Sequence, residues 1–252
     1  MRKLSMALLA GIALVGCGGE QNENQEIVSN LVEAGFPADD IMVVDNAVFV
    51  GRDAHVTLEA SREMLQTGNE TVEQYRTTNL MSGITKICIN PTSTFNSYSR
   101  LSAGLDAAIA NYNNLGLSFT MVRGPSTGCS ANITATTMSG AGGSAGFPSG
   151  GKPYGTINIG TGLQSYSAGV NKHVISHELG HCIGFRHSDY YNRSISCGGA
   201  ATNEGTAGVG AILIPGTPST ATSGGSVMNS CFSSSSTGTW TSSDLTALNY
   251  LY

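Results

Sequence analysis

The sequence predicts an α+β fold: a large unit of short strands and three helices, entered through a small module of mixed helix and strand. Three observations predict it. Short apolar runs with the two-residue alternation of half-buried strands recur up to residue 159, separated by Gly, Asn and Ser. Apolar side chains at three- and four-residue spacing mark helices over 101–112 and 245–251. Residues 188–226 are rich in Gly, Ser and Thr and show neither period, so they are expected to fold as loops.

At 252 residues the chain can bury a sizeable core, as one large domain or as a domain with a smaller partner. Only 12% of residues are charged, about half the usual share, while Gly contributes 33 residues; the surface is neutral and hydroxyl-rich. The formal charge of −5 grows more negative if Arg2 and Lys3 leave with a leader, and no basic stripe exists, which argues against nucleic acid as a partner.

The chain opens on such a leader. Arg2 and Lys3 precede an apolar run, 6–15, too short for a permanent membrane span, and the run ends in Leu14-Val15-Gly16-Cys17. This resembles a bacterial lipoprotein signal occupying 1–16, with Cys17 carrying the lipid; a plain secretory signal is the alternative. The Asp that would retain such a protein at the inner membrane is missing after Cys17. Display at the outer membrane or cell surface through a lipid anchor is therefore expected, with release as a further option.

Residues 17–24 read as a polar tether and 25–66 as a small module. Within it, 25–34 has Ile27, Leu31 and Ala34 on one helical side, with Gly35 as the stop. The apolar runs 41–44 and 47–50 flank Asp45-Asn46 as a hairpin, and 58–65 reads as a short helix. Polar residues without a period follow as a linker, 67–82.

The large unit spans 83–252. Its expected strands are 84–89, 117–122, 133–138 and 154–159, with a Gly-rich stretch at 142–148. Asn96 or Ser97 is expected to cap a helix that carries Leu101, Leu105, Ala108, Ile109 and Tyr112 on one face, with Gly116 closing it. A second helix starts near 169–172. Ser242 or Ser243 caps the last one, whose buried stripe is expected to be Leu245, Leu248 and Leu251.

The second helix carries the chemistry. Residues 177–187 read H-E-x-x-H-x-x-G-x-x-H. On a helix, His177 and His181 lie about 40° apart in azimuth and about 6 Å apart along the axis, so both imidazoles reach one ion. Glu178 sits about 100° round from His177, placed to act on what the ion holds. Gly184 can take the left-handed conformation that ends the helix and returns His187 as third ligand. Three neutral imidazoles with one open corner are the chemistry of a single catalytic Zn2+, which brings the pKa of a bound water to about 7; Glu178 is then the general base.

This motif resembles that of the metzincin clan of zinc peptidases. With Ile214-Pro215-Gly216-Thr217-Pro218 and Val227-Met228-Asn229, it is closest to the bacterial dual-action HEIGH metallopeptidase family, Leu179 standing for isoleucine. The resemblance implies a twisted, mainly parallel five-stranded sheet, with an antiparallel edge strand at 142–148 that pairs with the substrate backbone. It also implies an active-site helix, a methionine turn at Met228 beneath the zinc, a loop-rich lower half and a C-terminal helix. It implies a polypeptide substrate, and a propeptide role for the small module. Asp53 is the candidate capping ligand of a zymogen. Ser230 stands where some relatives carry an assisting tyrosine, and Tyr190 and Tyr191 are candidates for that assistance by proximity alone.

Other residues stay open. Asp189 is expected either to brace a ligand histidine or to cap a turn. His173 is expected on solvated helix surface and His55 on a solvated loop. No acidic loop has calcium-ligand spacing, and a monomer is expected. Of the cysteines beyond Cys17, a Cys197–Cys231 bridge bracing the methionine turn is favoured and Cys88–Cys129 comes second, with Cys182 as buried packing; spacing does not fix the pairing. Two functions of different class follow: a zinc endopeptidase exported as a lipoprotein and as a zymogen, or a catalytically silent surface-binding lipoprotein on a peptidase scaffold.

Overall fold

The structure, a computed structural model, describes residues 18–65, 75–125, 127–205 and 211–252, with side chains from Asn22 onward. The expected signal peptide, Cys17 and the first half of the expected linker lie outside the described residues. Among the described residues no helix is long and apolar enough to cross a membrane.

The first helix, α1 (Gly18–Glu33), is longer than expected: most of the expected tether is its first turns. Its buried face is the expected one, Ile27, Leu31 and Ala34, and docking of that face holds a helix whose polar start has little drive of its own. Strands β1 (Met42–Val44) and β2 (Ala47–Val50) form the expected hairpin, with Asp45 and Asn46 both at positive φ, as a two-residue type I′ turn requires. A third strand, β3 (Ala54–Val56), too short to leave a pattern in the sequence, pairs antiparallel with β2. Helix α2 (Leu58–Met64), capped by Thr57, packs on α1.

In the large unit β4 (Tyr75–Arg76) lies inside the expected linker, and β5 (Lys86–Pro91) is the first long strand. The expected helix is split. Thr92 caps α3 (Ser93–Ser97), and α4 (Ser99–Asn113) starts after an extended Tyr98, so neither Asn96 nor Ser97 is a cap. The face of α4 is as expected, with Leu101, Leu105, Ala108, Ile109 and Tyr112 buried. Strands β6 (Thr120–Arg123), β7 (Ala131–Met138), β8 (Gly143–Gly146) and β9 (Thr156–Gly160) follow, then the central helix α5 (Ala168–Cys182), capped by Ser167. The lower half holds α6 (Ser194–Cys197), β10 (Ile212–Leu213), which pairs with β4, and α7 (Ser242–Leu251).

The sheet order is β1-β2-β3-β8-β9-β7-β5-β6. From β8 to β6 it is the expected five-stranded sheet, with β9, β7, β5 and β6 parallel and β8 antiparallel to β9. The correction is that β8 is not an edge. β3 pairs with it in parallel, Ala54 opposite Ala145 and His55 opposite Gly146, so the hairpin of the module extends the sheet to eight strands. A strand edge of unpaired backbone groups is a ready template, and the module fills it.

α5 lies between the sheet and α4 on one side and the loop-rich half on the other, which is why it is buried nearly all round, polar residues included. The last helix begins one residue earlier than its expected caps: Thr241 and Asp244 form a reciprocal capping box, and Asp244 also accepts Ser226 Oγ at 2.5 Å and the Val227 N–H at 3.1 Å. That inward turn of Asp244 sets the buried face to Ala247 and Leu248, with Leu251 partly packed and Leu245 outside the core.

Both expected disulfides are formed, Cys88–Cys129 and Cys197–Cys231, and Cys182 is the free, buried cysteine among the described residues. Cys197–Cys231 joins α6 to the loop after Met228 across 34 residues, a loop whose closure stabilises by on the order of 3–4 kcal/mol. The paired Cys197→Ser and Cys231→Ser exchange is expected to lower the unfolding free energy by that amount, measured by chemical unfolding without reductant.

Candidate metal centre

The site is built on the polar stripe of α5. His177 and His181 share a face, and Ile183 and Gly184 end the helix, with Gly184 at φ +110°. A side chain at Gly184 would be strained, and its Cβ would sit 2.7 Å from the Asn79 carbonyl oxygen. The turn brings His187 back, and the three Nε2 atoms stand 3.0, 3.2 and 3.3 Å apart.

Those nitrogens do not hydrogen-bond one another, because each ring spends its N–H elsewhere. His177 Nδ1 donates to the Val227 carbonyl at 2.8 Å, His181 Nδ1 to the Phe185 carbonyl at 2.8 Å, and His187 Nδ1 to Glu204 Oε1 at 2.7 Å. These acceptors fix the tautomer, the Arg193 guanidinium standing farther from His187 Nδ1 at 3.4 Å, so three Nε2 atoms converge on one point. Zinc–nitrogen bonds of about 2.0–2.1 Å give a tetrahedron with edges of about 3.3–3.4 Å, which the observed spacing fits. Met228 lies below: its Sδ is 2.5 Å from where a Cβ on Gly180 would be, so the methionine turn packs directly on the helix.

The fourth corner is filled from the module. Asp53, on the turn between β2 and β3, brings Oδ2 to 3.2 Å from His187 Nε2 and 4.0 Å from His177 Nε2, and Oδ1 to 3.9 Å from His181 Nε2. Asp53, His177, His181 and His187 together can hold a metal ion. Burial works against the Asp53 charge, yet the three imidazoles hold its carboxyl well below the usual carboxylate range. Burial likewise pushes His187 down, but Asp53 and Glu204 on its two sides raise it to about 10; burial with neighbouring imidazoles lowers His177 to about 4 and His181 to about 3. The four donors suit a single divalent cation, whose charge would keep His187 in the neutral form that ligates.

Glu178 is 2% exposed, and its Oε2 has no hydrogen-bond partner. Burial, and then the Asp53 charge, push its pKa well above the ordinary value. With Asp53, His177, His173, Ser230 and Phe232 it lines a cleft of about 280 Å³.

Several expectations need correction. Asp189 touches no histidine; it accepts from Ser230 N and Oγ at 2.8 Å and from Ser196 Oγ at 2.5 Å, tying the methionine turn to α6. The brace on His187 is Glu204, 1% exposed, which also pairs with Arg193 and lies 3.7 Å from Arg186. A signal for it existed: Glu204 is the single acid between Asp189 and Asp244, and Arg193 the last Lys or Arg of the chain. His173 is buried, and burial, with His177 and Lys172, lowers it to about 3. His55 is half-buried on β3, its Nδ1 2.8 Å from the Tyr154 hydroxyl. Tyr190 is buried against Tyr75, and the Tyr191 hydroxyl accepts from Ala221 N, so neither lines the cleft.

The ion cluster also reaches the module. Arg193 donates to the Gly51 carbonyl at 2.7 Å, and the Arg186 guanidinium lies 4.5 Å from the Phe36 ring and 5.2 Å from that of Tyr190. Phe147, beside His181, belongs to the apolar core of the module.

A ligand histidine pair on a helix, another after a glycine turn and a buried carboxyl group beside them sit on the α+β fold of a zinc metallopeptidase. The chain belongs to the dual-action HEIGH metallopeptidase family, whose pattern matches residues 48–252. That match begins in β2 and so includes Asp53 and β3. No curated protein matches the chain. Among solved structures it is similar to high choriolytic enzyme 1, a hatching-enzyme zinc protease from Oryzias latipes (medaka), at 16% identity and TM-score 0.31 over 44% of this chain. The matched part is 50% of that enzyme. It is also similar to myroilysin, at 15% identity and TM-score 0.40, over 66% of this chain and 82% of the other.

Carboxylate partners of ligand histidines typically strengthen metal binding about 10–100-fold. Glu204→Gln is expected to weaken zinc binding by about that factor, read by chelator competition, with Asp106→Asn, on the exposed side of α4, as a control that leaves it unchanged.

Proposed function

We propose that the chain is an endopeptidase whose water is activated by Glu178, made as a latent precursor that its own amino-terminal module holds shut. The observation that carries the reading is the convergence of three tautomer-locked Nε2 atoms beside an unpaired, buried carboxylic acid. A bound zinc ion lowers the pKa of its water and polarises the scissile carbonyl. Glu178, as the carboxylate that a neighbouring cation favours, takes a proton from that water and hands it to the departing amine. His177, His181 and His187 keep fixed positions throughout, held by Val227, Phe185 and Glu204. A role in binding alone would leave Glu178 buried without a purpose.

Latency is supported by two contacts. Asp53 fills the corner where water would sit, and β3 fills the strand position beside β8 that an antiparallel substrate would use. β3 runs parallel to β8, the reverse of that substrate, so the module blocks the cleft without presenting its own backbone for cleavage.

Four preparations of the full-length chain test this on a casein substrate: wild type, Asp53→Ala, and each with Glu178→Gln. Asp53→Ala is expected to raise activity, and Glu178→Gln to lower it by about 10²–10⁴ with zinc content retained. Activity that persists in the Glu178→Gln preparations would falsify the mechanism; equal activity of wild type and Asp53→Ala would remove Asp53 as the block.

We also propose export as a lipoprotein, on the Arg2–Lys3, apolar run and Cys17 pattern. Expressed in a bacterial host, the wild-type chain is expected in the membrane fraction and Cys17→Ser in the soluble one; identical fractionation refutes the anchor.

A further inference from the structure

The cleft has a polar end that the hydrolytic machinery does not use. On α5, His173 stands one turn before His177; it is 8% exposed, and its Nε2 is buried without a hydrogen-bond partner. Asn229, next to Met228, also lines the cleft, and its Oδ1 is likewise buried and unpartnered. Two orphan polar atoms on one cleft wall are uncommon, because each costs on the order of 1–3 kcal/mol when left unsatisfied. His173 is moreover a shared wall: behind it lies a chamber of about 240 Å³ lined by Ser, Thr and Gly residues of 224–241 and by Val227, with no charged side chain among the described residues.

The direction of β8 says which substrate residue meets this wall. β8 runs from Gly143 to Gly146, and Glu178 packs against Gly143, where a Cβ would lie 2.4 Å from Oε1. The reacting bond therefore lies beside the start of β8. A substrate antiparallel to β8 passes Gly146 first, so its residues after the scissile bond lie toward Ala141 and Gly142, the end of the cleft that these residues line with Val174, Phe232, Asn229 and His173.

Resting on the peptidase reading above, we infer that His173, with Asn229, selects the substrate residue just after the cleaved bond. The preferred side chain has an apolar body and an uncharged hydrogen-bonding tip, as in tyrosine or glutamine. Val174 and Phe232 supply the apolar contact. Asn229 Oδ1 calls for a donor, which a phenol or a primary amide carries and a hydrocarbon does not. A charged tip on the His173 side would have no counter-charge in the chamber behind, since the charged residues of the cleft, Arg52, Asp53 and Glu178, lie on the module and at the reacting bond. His173 is here a specificity residue, apart from the groups that touch the reacting atoms.

The test uses the full-length, zinc-loaded chain in its Asp53→Ala form and two peptide pairs that differ only after the scissile bond, Tyr against Phe and Gln against Met. Cleavage sites are verified by mass spectrometry. The polar member of at least one pair is expected to lead by on the order of tenfold in kcat/KM, and which pair responds identifies phenol or amide. Adding His173→Phe is expected to bring the ratio near one, while His173→Gln, which restores a polar tip, keeps part of it. Ratios near one in both pairs before any change at His173, or a ratio that His173→Phe leaves intact, overturn the inference and leave the peptidase reading standing. Should His173→Phe fail to fold, the Gln variant and the two starting ratios still decide. Cutting of casein without any of the four peptides overturns the inference; failure on casein as well, also after limited proteolysis of the module, removes the peptidase reading with it.

Discussion

Three lone pairs aimed at one point inside a protein repel one another, and the architecture around α5 serves to hold them there. Each imidazole is pinned through its far nitrogen, by two backbone carbonyls and one carboxylate, and each pin comes from a different part of the lower half. Val227 belongs to the methionine turn, which Asp244 fastens to α7 and Asp189 to α6. Phe185 belongs to the glycine turn. Glu204 arrives on a loop without regular structure, so it needs Arg193 and Arg186 to stay charged when buried: burial alone would raise its pKa, and His187 with the arginines brings it to about 2. Much of the loop-rich half is thus explained by the need to orient three rings.

The same cluster joins the module to the peptidase unit. Its arginines contact Gly51 and Phe36, its carboxylate holds the ring that Asp53 faces, and the module borrows Phe147 to complete its core. The module is consequently part of the sheet and of the metal site, rather than a separate body on a tether. The module thus meets the peptidase unit at two places at once, the fourth corner of the histidine site and the β8 edge.

Several elements were legible because their cause is local. The H-E-x-x-H spacing follows from helix pitch, Gly184 from the need for positive φ, the Asp45-Asn46 turn from hairpin twist, and the buried face of α4 from its period. Where the sequence misled, a distant partner had overridden a local preference. Leu245 lost its place in the core because Asp244 turned inward to hold the methionine turn. His173 and His55, polar and apparently free, are covered by loops and strands far away in the chain. Three-residue β3 has no period to read and exists because β2 and β8 offer it backbone partners.

The sequence by itself determined the histidine spacing, through helix pitch and the glycine turn, and, through its resemblance, the family and the metal; the disulfide partnerships it left as candidates. Only the tertiary structure decided that Glu204 rather than Asp189 braces His187, that β8 is covered, and that Asp53 reaches the ligand histidines. Those depend on which segments far apart in the chain come to share one low-dielectric centre, and packing, not spacing, sets that.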